Sequence, residues 1–384
     1  MNESPQPTAE QPGTPGLSTT PRRLLWLLLA LLGAAAVGLG VLIVFLLRPS
    51  EAPTSSTILQ SAGCPMTIER SIYGIGTDPG DLLLRPMGVA LDPDGNVWVA
   101  DTGHARLLEF DATGTFIREA GEGRLTSPYG LAFDETGSRL YVADWNAHQV
   151  LVFSGDGRYI ESYPAPDQDL SVFGPVGFTP FEVRAWGAFI VVSSNDGLYF
   201  FDRDGKVVDY WGTGTRSREV GGFNFPDAFD IDPELGRFYV ADTLNRRVVA
   251  LDETGNVLWV SGQPDEQGKI VGFWELPRSV AVGPDGNVYV VDTFRFQNEC
   301  AGTGHIVVLS PEGDLIGEFG AGGPGEDTFN FPEKLAIASN GVFAIADREN
   351  GRIALFRLDG LPRVDESETK LYAKSFVRFG GVGP

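Results

Sequence analysis

One strand ending recurs six times along this chain and constrains the fold more than any other feature. Five apolar strands close with Val-Ala-Asp or a near variant, and a sixth copy is degraded to Val192-Ser193-Ser194. The aspartates that end the five intact copies are Asp101, Asp144, Asp242, Asp292 and Asp347. The intervals between successive aspartates are 43, 98, 50 and 55 residues. The interval of 98 residues spans two repeats, because it includes the degraded copy. Repeats of this length, each with several short strands, are typical of a ring of equivalent sheets.

The stretch from Pro86 to Gly121 shows what one repeat contains. Gly88–Leu91 predicts a short inner strand, and Asp92–Asn96 after it has the Asp, Pro and Gly that tight turns require. Two more turns separate three further strands, so each repeat forms a four-stranded antiparallel sheet. The sequence therefore predicts an all-β fold, a six-bladed β-propeller over residues 66–380.

Closure of the ring has two candidate strands. Thr67–Gly74 has the pattern of an outer strand but no blade precedes it, and Leu371–Gly380 has the same pattern near the other end. One of them must pair with the last blade, because a ring that stays open leaves an unpaired sheet edge. The sequence leaves the choice open.

The first 65 residues predict three segments that do not belong to the propeller. Residues 1–23 are rich in Pro, Ser and Thr and predict a disordered tail. Residues 24–47 are continuously apolar and, at about 1.5 Å per residue, predict a single transmembrane helix. Residues 48–65 predict a flexible stalk. Two arginines precede the span and one follows it, so we expect the propeller on the extracytoplasmic side of the membrane.

The net charge of −22 narrows the possible partners. Residues 1–48 carry a net charge of +1, which leaves −23 for the rest of the chain. A surface this acidic repels phosphate backbones and argues against nucleic acid as a partner. Solubility alone explains the same charge without any partner.

A second recurring pattern follows the strand endings. Phe238–Val248 reads Tyr-Val-Ala-Asp, then Asn-Arg and another apolar strand, and Arg348–Ile353 repeats the second half. Together with a proline that opens each inner strand and an Asp-x-x-Gly turn, this pattern resembles the NHL repeat. The resemblance covers about residues 66–380 and implies the propeller fold. It leaves function open, since that family includes protein-binding, RNA-binding and enzymatic members.

The residue after each opening proline is expected to line the mouth of the central channel. We call this end of the ring the top, because the links between blades and the loops after each second strand also lie there. The six residues are Met87, Tyr129, Phe181, Asp227, Arg278 and Glu333. Three are apolar or aromatic and three are charged, a mixture typical of a small-ligand pocket. We expect ligand binding there, with simple packing of the mouth as the alternative.

A metal enzyme is the alternative that the resemblance suggests. Amidating lyases, which are related six-bladed enzymes, place metal-binding histidines at these positions, and none of the six residues here is histidine. His104, His148 and His305 fall in or beside top loops of three different blades, so we expect them to be solvated rather than to share an ion. Lactonase-like propellers need Glu, Asn and Asp in the channel, and Asp227 and Glu333 have no such Asn beside them. We expect no metal, cofactor or catalytic residue.

The top loop after Asp292 is long and predicts an interaction surface. It carries two aromatic residues around an arginine, types enriched in interface hot spots. These residues are Phe294, Arg295 and Phe296. The same loop carries Cys300, and a disulfide with Cys64 is possible only if the two Cα atoms lie within about 7 Å.

Together these patterns predict a single-pass, membrane-anchored propeller that acts as a binding, scaffold or sensor module. We expect a protein, peptide or glycan ligand on its top face. The alternative is a metal-dependent lyase or hydrolase, amidating-lyase-like or lactonase-like, with its site in the channel. The repeated aspartate is expected to be structural, because a carboxylate at a strand end can accept buried N–H groups.

Overall fold

The computed structural model describes residues 67–173, 177–262, 274–293, 304–320 and 322–358. The predicted tail, span and stalk lie outside this part of the chain. Across those five ranges, no helix combines the length and the apolar character needed to cross a bilayer.

The described residues form six four-stranded antiparallel sheets. A first strand, β1 (Thr67–Ile72), precedes the first blade. Blade 1 contains β2 (Gly88–Leu91), β3 (Val97–Asp101), β4 (Arg106–Phe110) and β5 (Phe116–Ala120). Blade 2 contains β6 (Pro128–Phe133), β7 (Arg139–Asp144), β8 (Gln149–Ser154) and β9 (Tyr159–Tyr163). Blade 3 contains β10 (Glu182–Trp186), β11 (Phe189–Ser194), β12 (Gly197–Phe201) and β13 (Val207–Gly212).

The second half of the ring repeats this order. Blade 4 contains β14 (Pro226–Asp232), β15 (Arg237–Asp242), β16 (Arg247–Leu251) and β17 (Val257–Ser261). Blade 5 contains β18 (Pro277–Val282), β19 (Val288–Asp292), β20 (His305–Leu309) and β21 (Leu315–Phe319). Blade 6 contains β22 (Pro332–Ile337), β23 (Phe343–Asp347) and β24 (Arg352–Arg357), with β1 as its outer strand. The six innermost strands each contact the next, and β22 contacts β2, so the predicted six-bladed propeller is confirmed.

The strand from the start of the chain closes the ring. β1 pairs antiparallel with β24, with Ile68 opposite Phe356 and Ile72 opposite Ile353. Ile72 is buried between blades 6 and 1, beside Val89. Of the two candidates, Thr67–Gly74 therefore supplies the outer strand, and Leu371–Gly380 lies outside the described residues. β1 begins, and β24 ends, at the bottom of the ring.

Apolar clusters shared by neighbouring blades hold the sheets together. Trp98 of blade 1 is fully buried in one cluster with Leu131, Leu140 and Phe153 of blade 2. Burial of large apolar side chains between sheets is the main stabilising term in such a ring. Because each blade shares its core with the next, the position of one blade fixes that of its neighbours.

The repeated aspartates are buried and hold the top loops. Asp242 accepts hydrogen bonds from Asn224 N (2.7 Å), Asn245 Nδ2 (2.8 Å) and Arg247 Nε (2.6 Å). Burial raises the pKa of Asp242, and Arg247 opposes that rise. In the degraded copy, Ser194 Oγ accepts one backbone bond, from Thr179 N at 2.8 Å. The aspartates are thus structural, each fixing the loop before its own blade.

The Asp-x-x-Gly runs are hairpin turns at the bottom. Asp92 Oδ1 accepts from Asp94 N at 3.0 Å and from Asn96 N at 2.8 Å, and Gly95 takes a positive φ of 84°. Only glycine adopts that backbone conformation without strain.

Candidate functional site

Four side chains from four blades meet at the top of the channel. Arg278 Nη2 donates to Glu333 Oε2 at 2.6 Å and to Tyr129 Oη at 2.8 Å. Arg278 Nε lies 3.1 Å from Asp227 Oδ2. Tyr129 Oη in turn lies 3.4 Å from both carboxylates. The predicted mouth residues of blades 2, 4, 5 and 6 therefore form one hydrogen-bonded group, which we call the hub network.

The remaining two mouth residues form the apolar side of the same opening. Met87 and Phe181 pack with Tyr129 in one buried cluster, and Phe225 packs against it. The rings of Phe181 and Tyr129 meet edge to face, with centroids 6.2 Å apart. The structure thus brings all six mouth residues together, and five of them are buried, at 9% exposure or less. They close the top of the channel instead of lining an open pocket.

A second charged layer lies below the first. Lys334 donates to the backbone carbonyl of Asp227, and its Nζ lies 3.4 Å from Glu182 Oε2. Arg184 bridges Glu182 and Asp230, at 2.7 Å through Nη1 and 2.8 Å through Nε. The Lys334 ammonium also lies 4.9 Å from the centre of the Tyr129 ring. Blades 2, 3, 4 and 6 are therefore tied across the channel.

Opposite charges in the channel balance. Four carboxylates are joined by four cations, since Arg348 Nη1 also pairs with Glu333 Oε1 at 2.6 Å. The carboxylates are Glu182, Asp227, Asp230 and Glu333, and the cations are Arg184, Arg278, Lys334 and Arg348. A buried charge is tolerated when it is paired and hydrogen-bonded. Each of these four carboxylates is therefore paired with at least one cation inside the ring.

The pKa values of three buried groups in the channel are shifted in directions that keep the tyrosine neutral and the arginines charged. Burial raises the pKa of Tyr129 well above its ordinary value, so the phenol stays neutral and can donate. Burial alone would lower the pKa of Arg278, but Asp227, Tyr129 and Glu333 outweigh that effect and raise it. The pKa of Arg184 is raised in the same way, because Glu182 and Asp230 outweigh its burial.

The second charged layer was not predicted, although the sequence holds a signal for it. Arg184 and Asp230 occupy one equivalent position of the inner strands, opposite Val191 and Tyr239. The other four blades carry alanine at this position. Those residues are Ala90, Ala132, Ala281 and Ala336. A charged residue at a position that is alanine in the other repeats marks a site whose role differs from packing.

The histidines do not meet. His104 Nδ1 lies 2.9 Å from Asp101 Oδ2, and exposed His148 has its Nδ1 3.0 Å from the Phe178 carbonyl. His305 was expected to be solvated, and that expectation is wrong: it is fully buried, because it begins β20 opposite the buried end of β19. Within the described ranges, no group of three or more His, Cys, Asp or Glu side chains is arranged to hold a metal. Phe294, Arg295, Phe296, Cys64 and Cys300 lie outside those ranges.

Two cavities open at the bottom, opposite the hub network. One, of about 460 Å³, is lined by inner-strand residues of all six blades and has Arg184 and Asp230 among them. The other, of about 500 Å³, lies between blades 4, 5 and 6 and has Asp232 and Asp285 in its wall. The channel is thus closed by side chains at the top and open at the bottom.

Comparison with known proteins gives the same architecture. The NHL repeat profile matches residues 83–110 and 329–356, in blades 1 and 6. Peptidyl-glycine alpha-amidating monooxygenase A of Xenopus laevis is 25% identical over 283 residues, which cover 70% of this chain and 27% of that protein. NHL repeat-containing protein 3 of Mus musculus is 30% identical over 178 residues, which cover 42% of this chain and 48% of that protein. The chain therefore spans less than half of the length of either relative.

A solved structure supports the fold alone. A protein of unknown function from Bacteroides thetaiotaomicron superposes with a TM-score of 0.53 at 19% identity, over 76% of this chain and 74% of that one. At that identity the likeness carries no activity from one protein to the other. The strand order and this superposition agree on the fold: the described residues form a six-bladed β-propeller, and two of its blades match the NHL repeat.

Proposed function

We propose that this protein is a binding module whose top loops recognise a protein, peptide or glycan ligand. The central channel is closed at that end by paired side chains, so the contact surface is the ring of loops around the hub network. Residues 24–47 remain a predicted membrane anchor, and β1 joins the ring at the bottom. Recognition is therefore assigned to the end of the propeller opposite the start of β1.

Exposed apolar side chains in the top loops carry this proposal. Of the twelve large apolar side chains that are at least 40% exposed among the described residues, six lie in top loops, one lies in a bottom turn and five lie at the start of outer strands. The top residues are Tyr73, Leu82, Leu84, Trp145, Val220 and Leu244, and the bottom residue is Leu235. Exposed apolar groups clustered on one face mark interaction sites, whereas single ones are ordinary. Trp145, at 44% exposure, belongs to the residue type most enriched in binding hot spots.

The backbone at the mouth adds support. Arg85, Phe225 and Phe331 each precede an opening proline and have φ between 51° and 56°. Residues other than glycine rarely adopt such angles, and outliers of this kind cluster at functional sites. Arginine side chains stack on two of them, with Arg216 4.3 Å from the Phe225 ring and Arg348 5.0 Å from the Phe331 ring. Cationic and aromatic groups are thus presented together beside the hub network.

A metal-dependent lyase is the second candidate, and the similarity to amidating monooxygenase A favours it. The side chains at the channel mouth do not fit such a metal. Asp227 and Glu333, the candidate ligands, both form ion pairs with Arg278, and no histidine reaches the channel mouth. Two measurements on the purified full chain distinguish the lyase from the binding module: its metal content and its lyase activity toward a peptidyl-α-hydroxyglycine. A stoichiometric divalent ion together with turnover would establish the enzyme and reject the binding-module proposal.

A matched pair of leucines tests the binding proposal. Leu244 at the top and Leu235 at the bottom are 45% and 50% exposed. We expect Leu244→Ala in the full chain to weaken ligand capture at least about tenfold, as truncation of a hot-spot side chain does. Leu235→Ala is expected to leave capture unchanged. Ligands are identified by quantitative mass spectrometry of captured proteins and by a glycan array, and equal capture by both variants would reject the top face as the site.

A further inference from the structure

The top link between blades 3 and 4 presents two exposed arginines on a chain that is acidic elsewhere. This link, residues 213–225, is called the arginine loop. Arg216 and Arg218 are both exposed, and neither forms an ion pair with a described carboxylate. Glu219 is the one acidic residue of the loop, so its net charge is positive, whereas residues 49–384 together carry −23. Charges more than about 8 Å away are largely screened at physiological salt, so the two guanidiniums dominate the potential close to the loop.

The backbone of the arginine loop is held by buried side chains of blade 4. Arg247 donates to the Arg218 carbonyl at 3.0 Å and to the Gly222 carbonyl at 2.6 Å. Asn245 Nδ2 donates to the Ser217 carbonyl at 2.7 Å. A surface whose backbone is ordered before the ligand arrives loses less conformational entropy on binding. The loop is therefore built to present its side chains in one arrangement.

Arg216 is oriented by two neighbours. Its guanidinium lies 4.3 Å from the centre of the Phe225 ring, and its Nη2 donates to Asn195 Oδ1 at 3.3 Å. A guanidinium has five N–H donors, so donors remain for a ligand. Burial raises the pKa of Asp196, which is 1% exposed, and Arg216 opposes that rise through space. Because this carboxyl is buried, a ligand that approaches from solvent meets the guanidinium and not the acid.

Aliphatic side chains lie beside these arginines. Val220, in the arginine loop, is 83% exposed. Leu244, 45% exposed, adjoins the loop, since its backbone N–H donates to the Asn224 carbonyl at 3.1 Å. Arginine clusters recognise acidic peptide motifs, and aliphatic side chains of such a peptide would gain by covering this apolar area. A glycan presents mainly hydroxyl groups and would leave Val220 without an apolar partner, so the surface favours a peptide.

We infer that the arginine loop binds a peptide in which an aspartate or glutamate lies next to an aliphatic residue. The carboxylate accepts hydrogen bonds from Arg216 or Arg218, a pairing that suits the planar guanidinium. The aliphatic side chain packs on Val220 and Leu244. This ligand class rests on the proposed function, because the arginine loop belongs to the same top face.

Selection of short random peptides from a display library on the full chain tests the inference. We expect the enriched peptides to carry aspartate or glutamate beside Leu, Ile or Val more often than the unselected library does. The most enriched peptide is then synthesised together with a counterpart in which Asn and Gln replace Asp and Glu. Fluorescence anisotropy is expected to show at least about tenfold weaker binding of the counterpart, the effect of losing a hydrogen bond to a charged group. Enrichment without an excess of acidic residues, no enrichment, or equal binding of the two peptides would each overturn the inference.

Charge reversal at two pairs of positions supplies the matched control. Arg216→Glu with Arg218→Glu is expected to weaken binding of the synthesised acidic peptide at least about tenfold, because like charges then face each other. Arg158→Glu with Lys206→Glu changes the net charge by the same amount at exposed residues of the bottom turns of blades 2 and 3, and is expected to leave the affinity unchanged. An unchanged melting temperature shows that the ring is intact in each variant. Equal affinities of the two double variants would overturn the inference.

Failure of this inference is distinguishable from failure of the proposed function. Capture of a glycan that Leu244→Ala weakens and Leu235→Ala does not would keep the top face as the binding site and overturn the acidic peptide as its ligand. Equal capture by these two variants would reject the top face and the acidic peptide together.

Discussion

Arg184 of blade 3 and Asp230 of blade 4 form an ion pair of 2.8 Å at the one inner-strand position where the other four blades carry alanine. The pair lies where the closed part of the channel meets the bottom cavity. Asp230 also accepts from Val282 N at 2.8 Å, which links blade 4 to blade 5. Two substitutions of alanine by opposite charges thus convert a packing position into a connection among three blades.

Removing Arg184 alone is expected to cost more than removing both partners of this pair. Arg184→Ala leaves Asp230 half-buried without its cation, and we expect a loss of about 3 kcal/mol in the free energy of unfolding. Arg184→Ala with Asp230→Ala restores the residue of the other blades and is expected to cost less than Arg184→Ala alone, which leaves both Glu182 and Asp230 without this cation. Urea unfolding of the three variants gives the coupling. Losses that simply add would show that the two side chains act independently.

The aspartate at the end of β15 is expected to be essential for stability. Asp242→Ala leaves Arg247, which is 4% exposed, without its carboxylate. We expect a loss of about 3–5 kcal/mol, the usual result of breaking a buried ion pair. Asp242→Asn keeps an acceptor for Asn224 N and is expected to lose less. Thermal unfolding compares the variants, and a ranking with Asn worse than Ala would contradict the structural role.

The closing strand is expected to behave as part of the core. Ile72 is 3% exposed and its neighbour Tyr73 is 47% exposed. Ile72→Ala is expected to lower the free energy of unfolding by about 3 kcal/mol, and Tyr73→Ala by no more than about 0.5 kcal/mol. Urea midpoints measured on the full chain test this difference. Equal midpoints for both variants would mean that β1 does not close the ring.

Lowering the pH is expected to reduce the contribution of one bottom turn to the free energy of unfolding. Hydrogen bonds from Thr254 and Asn256 lower the pKa of Asp252 from 3.8 to about 2. The Asp252 carboxylate binds a proton more weakly in the folded protein than in the unfolded chain. Its stabilising effect is therefore complete above the pKa of the unfolded state and is lost as the pH falls through the pKa of the folded state. The difference in stability between the wild-type protein and Asp252→Asn should therefore be constant above about pH 5 and shrink toward pH 2. A difference that is independent of pH would reject this origin.

The blades could be predicted from the sequence because the four strands of a blade are, with the exception of blade 6, consecutive in the chain. The strand order, the Asp-x-x-Gly turns and the buried aspartates follow from patterns within about fifty residues. The gathering of the hub residues at the channel mouth followed from the repeat, but the hydrogen bonds among them did not, because Arg278 and Tyr129 are 149 residues apart and meet only when the ring closes. Ring closure itself stayed open, since two segments had the pattern of an outer strand. The burial of His305 was missed because its position at the start of β20 depends on where the long loop before it ends.

Protection of backbone amides on ligand binding tests the central claim most directly. Hydrogen–deuterium exchange of the full chain, with and without a captured ligand, compares the top loops 145–148 and 243–246 with the bottom turn 232–237. Ligand binding at the top face predicts slower exchange in the two top loops and unchanged exchange in the bottom turn. Slower exchange at the bottom turn with unchanged top loops would contradict it.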